Sequence, residues 1–174
     1  MRWFPFILLA IAGIVCQTTL VAAIRAHGVG PNVMFILAVY YALWGPWPDA
    51  ALAAMALGFM TDLYTGSPGR IGLHAFCYGG VAWCIIQVRQ VLVRTHPLAQ
   101  VLIVLAFGGA VELAVALYHY WIASQSGLPK ALGLAVLSAA YTAALTPVLL
   151  WLLCRLGRLT GLTTDPRAGV NRRR

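Results

Sequence analysis

The residues of this chain that could do chemistry are few, and they lie within apolar segments. Only four residues are acidic, and two of them, Asp62 and Glu112, fall in apolar runs. His119 follows Glu112 by seven residues, which places both on one face of a helix. Acids in such surroundings are expensive and indicate function, so Glu112, His119 and Asp62 could form an ion or proton site. Interhelical hydrogen bonding by Glu112 and an interfacial role for His119 are the alternatives.

Signatures of enzymes are missing from the sequence. An intramembrane protease needs a second aspartate, a serine with a histidine, or an HExxH metal site, and of these only Asp62 is in place. P-loop and GxGxxG motifs do not occur, and the four cysteines form no CxxC pair. We therefore expect no enzyme, no cofactor and no metal site.

The composition predicts an integral membrane protein. Hydrophobic residues make up 61% of the chain, charged residues 9%, and the mean hydropathy is +0.85, whereas soluble chains carry about 25% charge. The net charge of +8 comes largely from six arginines between Arg155 and the C-terminus. A basic tail beside apolar segments indicates contact with anionic lipid on the cytoplasmic side, and not nucleic acid.

Six apolar segments can be marked, and they set the predicted fold. They are 3–24, 31–44, 50–64, 71–88, 98–122 and 131–154. The first is too long for a signal peptide, while the second and third are short for a span of about 20 residues. Six spans with an internal N-terminus place nine basic residues on the cytoplasmic side and three outside. We predict an all-α bundle of six transmembrane helices over 1–162, with both termini cytoplasmic, and a disordered basic tail over 163–174.

Small residues recur at a spacing of four in three segments, which is typical of close contacts between membrane helices. The three rows are Ala50, Ala54, Gly58, Asp62 and Gly66; Ala106, Ala110 and Ala114; and Ala131, Ala135, Ala139 and Ala143. Asp62 shares a face with Ala50, Ala54 and Gly58, so we expect its side chain to point inward.

A helical hairpin is predicted around Asp62, because Gly66, Ser67, Pro68 and Gly69 end one helix and the next begins within 71–74. The candidate donors to the carboxylate are the side chains of Thr61, Thr65, Ser67 and His74 and the backbone amides of the turn. Asp62 then either anchors this turn or contacts a ligand or partner directly.

The hairpin residues carry a resemblance to a known family. Gly58-Phe59, Asp62-Leu63, Gly66-Ser67-Pro68 and Gly72-Leu73-His74-Ala75 resemble the GF..DL..GSP.G.HA signature of the bacterial rod shape-determining protein MreD. The size, basic tail and number of spans are similar to that family over nearly the whole chain. The loop 63–71 is a residue or two longer than usual and carries Arg70.

The resemblance implies a non-enzymatic scaffold of the cell-elongation machinery in the bacterial inner membrane. Its implied partners are MreC, RodA with a class B penicillin-binding protein, and indirectly the actin-like MreB. The implied binding residues are those of the motif: Gly58, Phe59, Asp62, Leu63, Gly66, Pro68, Gly72 and His74.

A second hypothesis comes from a further similarity. The family is similar to the substrate-binding subunits of energy-coupling-factor vitamin transporters, which are compact bundles of about six helices. The chain would then capture a small ligand, with Asp62 and Glu112 as inward acids. The aromatic side chains available for such a pocket are Trp44, Trp47, Tyr64 and Trp121.

Overall fold

The computed structural model describes residues 3–23, 29–65, 72–89, 97–123 and 128–160. Six α-helices occupy this part of the chain, one in each apolar segment of the sequence. They are α1 Trp3–Ala23, α2 Val33–Trp44, α3 Trp47–Thr65, α4 Leu73–Val88, α5 Pro97–Ala123 and α6 Leu128–Thr160. The expected all-helical architecture is therefore observed.

The short helix α2 is the centre of the molecule. Every residue from Val33 to Leu43 is buried, and only Trp44 is partly exposed. A helix that is apolar on all sides is stable only when other elements surround it. The other five helices pack against α2, so the hydrophobic core is built around this helix.

Helix α2 is too short to cross a membrane by itself. Its 12 residues extend only about 18 Å, whereas the hydrocarbon core of a bilayer is about 30 Å thick. The residues before it, 29–32, form no helix, and Val29 and Pro31 are buried. A membrane crossing by this part of the chain must therefore include residues 29–32 as well as α2. The start of α2 itself lies inside the bundle.

Helices α3 and α4 form a close antiparallel hairpin. The buried face of α3 contains Ala50, Ala54, Gly58 and Asp62, which confirms the predicted inward face. A Cβ atom on Gly58 would overlap the carbonyl oxygen of His74 and lie 2.7 Å from the Cα atom of Ala75. Only glycine allows the two backbones to approach this closely.

Helices α5 and α6 form a second antiparallel pair, and only one of the two predicted rows lies between them. Ala135, Ala139 and Ala143 of α6 are buried as predicted, while the side chain of Ala131 lies outside the described part. The α5 row was predicted wrongly, since Ala106 and Ala110 are exposed. The buried residues of α5 are instead Ile103, Val104, Gly108 and Val111.

The helices alternate in direction, as contacts near their ends show. The Phe6 ring of α1 packs against Tyr41 near the end of α2, with 5.2 Å between ring centroids, and Gln17 bonds to the start of α2 at Val33. We call the end of the bundle with the start of α2 the Asp62 end, and the opposite end the Arg89 end. Helix α1 begins at the Arg89 end, and α6 runs towards it past Thr142.

Two helical stretches are long and apolar enough to cross a membrane, Leu98–Tyr118 and Leu132–Leu156. Shorter apolar stretches are found at Trp3–Thr19, Val33–Trp44 and Leu73–Val88. Large apolar side chains also cover the outside of the bundle, such as Phe4 and Phe76, each 79% exposed. An outer surface of this kind is suited to lipid and not to water.

Candidate functional site

The carboxylate of Asp62 binds the first turn of α4. Its Oδ2 accepts from the backbone amides of Gly72 at 2.9 Å and Ala75 at 3.2 Å, and its Oδ1 accepts from the amide of His74 at 3.2 Å. The Nδ1 atom of His74 lies 2.7 Å from the same Oδ1. The Asp62 carboxyl group therefore makes four polar contacts with the first turn of α4.

Asp62 acts as an N-cap that is supplied by another helix. The residue at the N-cap position of α4 is Gly72, which has no side chain to satisfy the free amides and adopts φ +109°. This conformation favours glycine, and it lets the chain turn into the helix beneath the carboxylate. The negative charge also lies at the positive end of the α4 dipole. The Asp62 side chain is only 1% exposed, so the whole arrangement is internal.

Only part of the predicted donor set is used. His74 binds Asp62, but the hydroxyl of Thr61 donates to the carbonyl of Leu57 at 2.9 Å, and that of Thr65 to the carbonyl of Thr61 at 2.7 Å. Two further motif residues, Gly66 and Pro68, lie outside the described residues, as do Ser67, Gly69 and Arg70. The amides that bind Asp62 belong to the start of the next helix, which the sequence reasoning did not consider.

The motif residues of α3 divide between two faces. Gly58 and Asp62 are buried against α4. The residue after each of them points outward, with Phe59 45% and Leu63 56% exposed. The first pair therefore builds the hairpin, and the second pair is available to something outside the chain.

A second polar cluster lies around the start of α2, and the sequence reasoning missed it. The Asn32 side chain accepts from the amide of Phe35 at 3.0 Å and donates to the hydroxyl of Tyr78 at 2.8 Å. Its backbone amide donates to Thr142 of α6 at 3.0 Å. Gln17 of α1 accepts from the amide of Val33 at 2.8 Å and donates to the carbonyl of Pro31 at 3.1 Å. The sequence signal was a glutamine within an apolar run and an asparagine at the edge of one.

Glu112 belongs to this second cluster and not to the site of Asp62. The hydroxyl of Ser138 on α6 donates to its Oε1 at 3.1 Å, which matches the predicted interhelical hydrogen bond. His119 lies seven residues after Glu112 in α5, and its side chain is outside the described part of the chain. The structure therefore gives Glu112 and Asp62 separate partners. The edge-on rings of His74 and Tyr78, with centroids 6.0 Å apart, lie between the two clusters.

Arg89 closes the opposite end of α2. Its Nη1 donates to the carbonyl oxygens of Gly45 at 2.6 Å and Ala42 at 3.2 Å. A cation near the C-terminus of a helix satisfies free carbonyls and complements the dipole. Polar side chains therefore hold both ends of the central helix α2. Gln17 and Asn32 bind its start, and Arg89 binds its end.

The four aromatic residues of the transporter hypothesis do not share a pocket. Trp44 and Trp47 lie at the Arg89 end, where the Trp44 ring packs 5.1 Å from that of Tyr40. Tyr64 and Trp121 lie near the ends of α3 and α5, at the Asp62 end, and Trp121 is 81% exposed. The four side chains therefore lie at two opposite ends of the bundle.

Comparison with protein families agrees with the motif. The family model of the rod shape-determining protein MreD matches residues 1–156. The chain belongs to the MreD family. Comparison with curated proteins found no match, and comparison with solved structures also found none.

MreD membership gives the polar hairpin a biological setting. The family is a family of membrane proteins with a role in rod-shape determination, and it is associated with the MreC and MreB shape system. The matched region contains all six helix starts and both polar clusters. The hairpin of α3 and α4 is thus the part of this MreD chain that brings together Gly58, Asp62, Gly72 and His74.

Proposed function

We propose that this protein is a non-enzymatic scaffold of the cell-elongation machinery in the bacterial inner membrane. In this role it binds an MreC-like protein and helps to couple peptidoglycan synthesis by RodA and a class B penicillin-binding protein to the MreB cytoskeleton. The observation that carries the proposal is the division of the motif into an inward pair that ties two helices and an outward pair that faces the surroundings.

The hydrogen bonding and burial of Asp62 support a role in a scaffold and not in a reactive site. Its two oxygens accept from three backbone amides and one histidine, and the side chain is almost fully enclosed. A carboxylate with its acceptor positions occupied in this way has little capacity left for a substrate. Its role in partner binding is then indirect, through the shape of the hairpin that includes Gly58, Gly72 and His74.

The outward face of α3 is the proposed partner surface. Leu52, Met55, Phe59 and Leu63 are each 45% to 56% exposed and are spaced three or four residues apart, so they form one row. An apolar row of this kind suits the single membrane span of a partner such as MreC.

The test separates the outward pair from the inward pair. Phe59→Ala with Leu63→Ala removes two outward side chains without touching the Asp62 contacts, and Leu98→Ala with Leu102→Ala is the matched control on α5, where both leucines are at least as exposed. The tagged proteins are extracted in a mild detergent, and the co-purified MreC-like protein is quantified alongside cell shape.

We expect the α3 double variant to lose most of the partner and to round the cells, while the α5 control keeps both. Equal membrane amounts of the two variants show that folding is unaffected. Normal partner recovery from the α3 variant would exclude this face, and loss from both variants would show that no specific face is involved.

The orientation in the membrane is part of the proposal. Both ends of the helical region lie at the Arg89 end, and the positive-inside count supports a cytoplasmic position for that end. All six helices would then take part in a multi-pass bundle, with α2 completed by 29–32. The arginines of 163–174 would contact anionic lipid.

The alternative, a substrate-capture subunit of a vitamin-type transporter, needs an enclosed pocket and an ATPase partner. The separated positions of Trp47 and Trp121 speak against such a pocket. Mass spectrometry of the purified protein decides between the two, because a bound metabolite together with a transport ATPase would replace the scaffold proposal.

A further inference from the structure

The α3–α4 hairpin and the α5–α6 pair are joined mainly through the central helix α2. Helix α4 has only a few direct contacts with α5, whereas each pair is closely packed within itself. Where α5 and α6 meet α2, a small cavity remains between Phe35, Gly108 and Ala139. Because apolar contacts are not directional, contacts as sparse as these leave the angle between the two helix pairs poorly determined.

A chain of side-chain hydrogen bonds crosses the same junction, and Asn32 is its centre. The side-chain oxygen of Asn32 accepts from the amide of Phe35, and its amide group has two hydrogens to donate. One of them is donated to the Tyr78 hydroxyl of α4 at 2.8 Å. The other is donated to the Glu112 carboxyl group of α5. Asn32 therefore links a helix of one pair to a helix of the other.

Hydroxyl groups on the two remaining helices form the ends of this chain. At one end, Ser138 of α6 donates to Glu112 at 3.1 Å. At the other end, the Tyr78 hydroxyl shares a hydrogen bond with Thr61 of α3. Because Thr61 uses its only hydrogen on the carbonyl of Leu57, Tyr78 is the donor in this bond. The chain thus runs from α6 through α5, α2 and α4 to α3, where it ends next to the carboxylate that caps α4.

Glu112 is the acceptor on which this chain depends. It receives one hydrogen bond from α6 and one from α2, and polar bonds of this kind fix helices relative to each other in apolar surroundings. We infer that Glu112 is a positioning residue for the α3–α4 hairpin. Through Asn32 and Tyr78 it sets the angle at which the hairpin, with the outward side chains of Phe59 and Leu63, stands against the α5–α6 pair.

Distance measurements between two spin labels, made on the full-length protein in detergent, test this inference. The four cysteines are replaced by alanine, and labels are attached through Leu63→Cys on α3 and Leu117→Cys on α5, two exposed positions near the Asp62 end. The reference pair is Leu63→Cys with Trp83→Cys, which lies within the hairpin. The first pair reports the angle between the two helix pairs, and the reference pair reports the hairpin alone.

We expect Glu112→Leu to shift and broaden the distance distribution of the first pair and to leave the reference pair unchanged. Glu112→Gln keeps an acceptor oxygen for Asn32 and should preserve the distribution of the unaltered protein. Tyr78→Phe interrupts the chain by removing a single oxygen and should also broaden the first pair. Tyr41→Phe is the matched control, since Tyr41 is equally buried and its hydroxyl is not part of the chain, and it should change neither pair.

An unchanged first pair in Glu112→Leu or in Tyr78→Phe would overturn the inference. Equal broadening of both label pairs would also overturn it, because the substitutions would then loosen the whole protein. The same holds if Glu112→Gln or Tyr41→Phe broadens the first pair as much as Glu112→Leu does.

The consequence for partner binding rests on the proposed scaffold function. Glu112→Leu should lower the recovery of the MreC-like protein several-fold, although Glu112 does not lie on the outward row of α3, and Glu112→Gln should retain it. Normal recovery from Glu112→Leu would overturn this consequence. If Phe59→Ala with Leu63→Ala also keeps the partner, the proposed surface itself is wrong, whereas the distances within the purified protein decide the role of Glu112 independently.

Discussion

At the scale of single residues, Asp62 shows why an apolar chain keeps a carboxylate. In apolar surroundings a free amide or a free carboxylate costs several kcal/mol, and the start of α4 has several free amides. One side chain from α3 satisfies three of these amides and a histidine at once. The acid and the helix start therefore stabilise each other, and neither is favourable alone.

The first prediction concerns this mutual dependence. Asp62→Ala leaves the amides of Gly72, His74 and Ala75 without an acceptor, and we expect it to lower the free energy of unfolding in detergent by about 3 kcal/mol. Asp62→Asn keeps one acceptor oxygen and should cost roughly half as much. His74→Phe removes one bond of the four and is the control. Unfolding in denaturant ranks the three variants by their loss of stability. A loss for His74→Phe as large as the loss for Asp62→Ala would contradict this prediction.

The second prediction uses two buried tyrosines that differ in their hydroxyl groups. Tyr41 is 1% exposed, and its hydroxyl has no hydrogen-bond partner in the part of the chain that the structure describes. Tyr78 is equally buried, and its hydroxyl accepts from Asn32. We expect Tyr78→Phe to destabilise the protein by about 1 kcal/mol and Tyr41→Phe to be neutral or stabilising.

Thermal unfolding of the two variants in the same detergent measures this difference. Each substitution removes one oxygen and leaves the ring, so packing changes are matched. A Tyr41→Phe variant less stable than Tyr78→Phe would mean that the Tyr41 hydroxyl makes the more important bond.

Sequence reasoning at this scale succeeded where a side chain had only one favourable direction. Asp62 had to point inward because lipid cannot solvate a carboxylate, and the structure agrees. The identity of its donors was only partly predictable, since it depends on how α4 starts at Gly72. Gln17 and Asn32 could have been recognised from the cost of an amide group in apolar surroundings, but their partners depend on the position of α2.

At the scale of helices, the main feature is that short helices end inside the bundle. The first amides and the last carbonyls of a helix have no partners within it, and apolar surroundings offer none. At the start of α2 they are satisfied by Gln17 and Asn32, at its end by Arg89, and at the start of α4 by Asp62. Of these residues Asn32 caps its own helix, while Gln17, Arg89 and Asp62 each bind the end of a neighbouring helix.

The third prediction compares two glycines within the hairpin helices. Gly58→Ala places a methyl group against the backbone of His74 and Ala75, so the helices must separate, and we expect a loss of about 2 kcal/mol. A methyl group on Gly80 of α4 would meet no atom of another helix within 4 Å, and Gly80→Ala should gain about 0.5 to 1 kcal/mol from helix propensity. Unfolding of both variants under one set of conditions is the measurement, and a stable Gly58→Ala protein would contradict the close contact.

The spacing of small residues predicted one helix face better than another. On α3 the row ended in Asp62, and the acid fixed which face was internal. On α5 the row Ala106 and Ala110 carries no polar residue, and lipid and protein are equally apolar surroundings for alanine. The spacing alone could not distinguish a face that packs against protein from a face that meets lipid. The face of α5 that is buried contains Gly108 instead.

At the scale of the whole molecule, aromatic side chains mark both ends of the alternating bundle. Trp3, Trp47 and Trp151 are each at least 44% exposed at the Arg89 end, and Arg155 lies 5.2 Å from the centroid of the Trp151 ring. Trp121 is exposed at the Asp62 end. Exposed tryptophans with basic residues at one end are typical of a protein that spans a bilayer with that end in the cytoplasm.

The fourth prediction tests this orientation in cells. The four cysteines are first replaced by alanine, and a single cysteine is then introduced by Ser126→Cys, between α5 and α6, or by Thr95→Cys, between α4 and α5. Because α5 runs from the Arg89 end to the Asp62 end, its start and its end lie on opposite sides of a spanning bundle. A membrane-impermeant maleimide added to spheroplasts should label the Ser126→Cys protein and not the Thr95→Cys protein.

Both proteins should react once the membrane is opened by detergent, which controls for intrinsic reactivity. Labelling of the Thr95→Cys protein alone would invert the bundle and place its basic end outside, and labelling of both from outside would exclude a membrane crossing by α5.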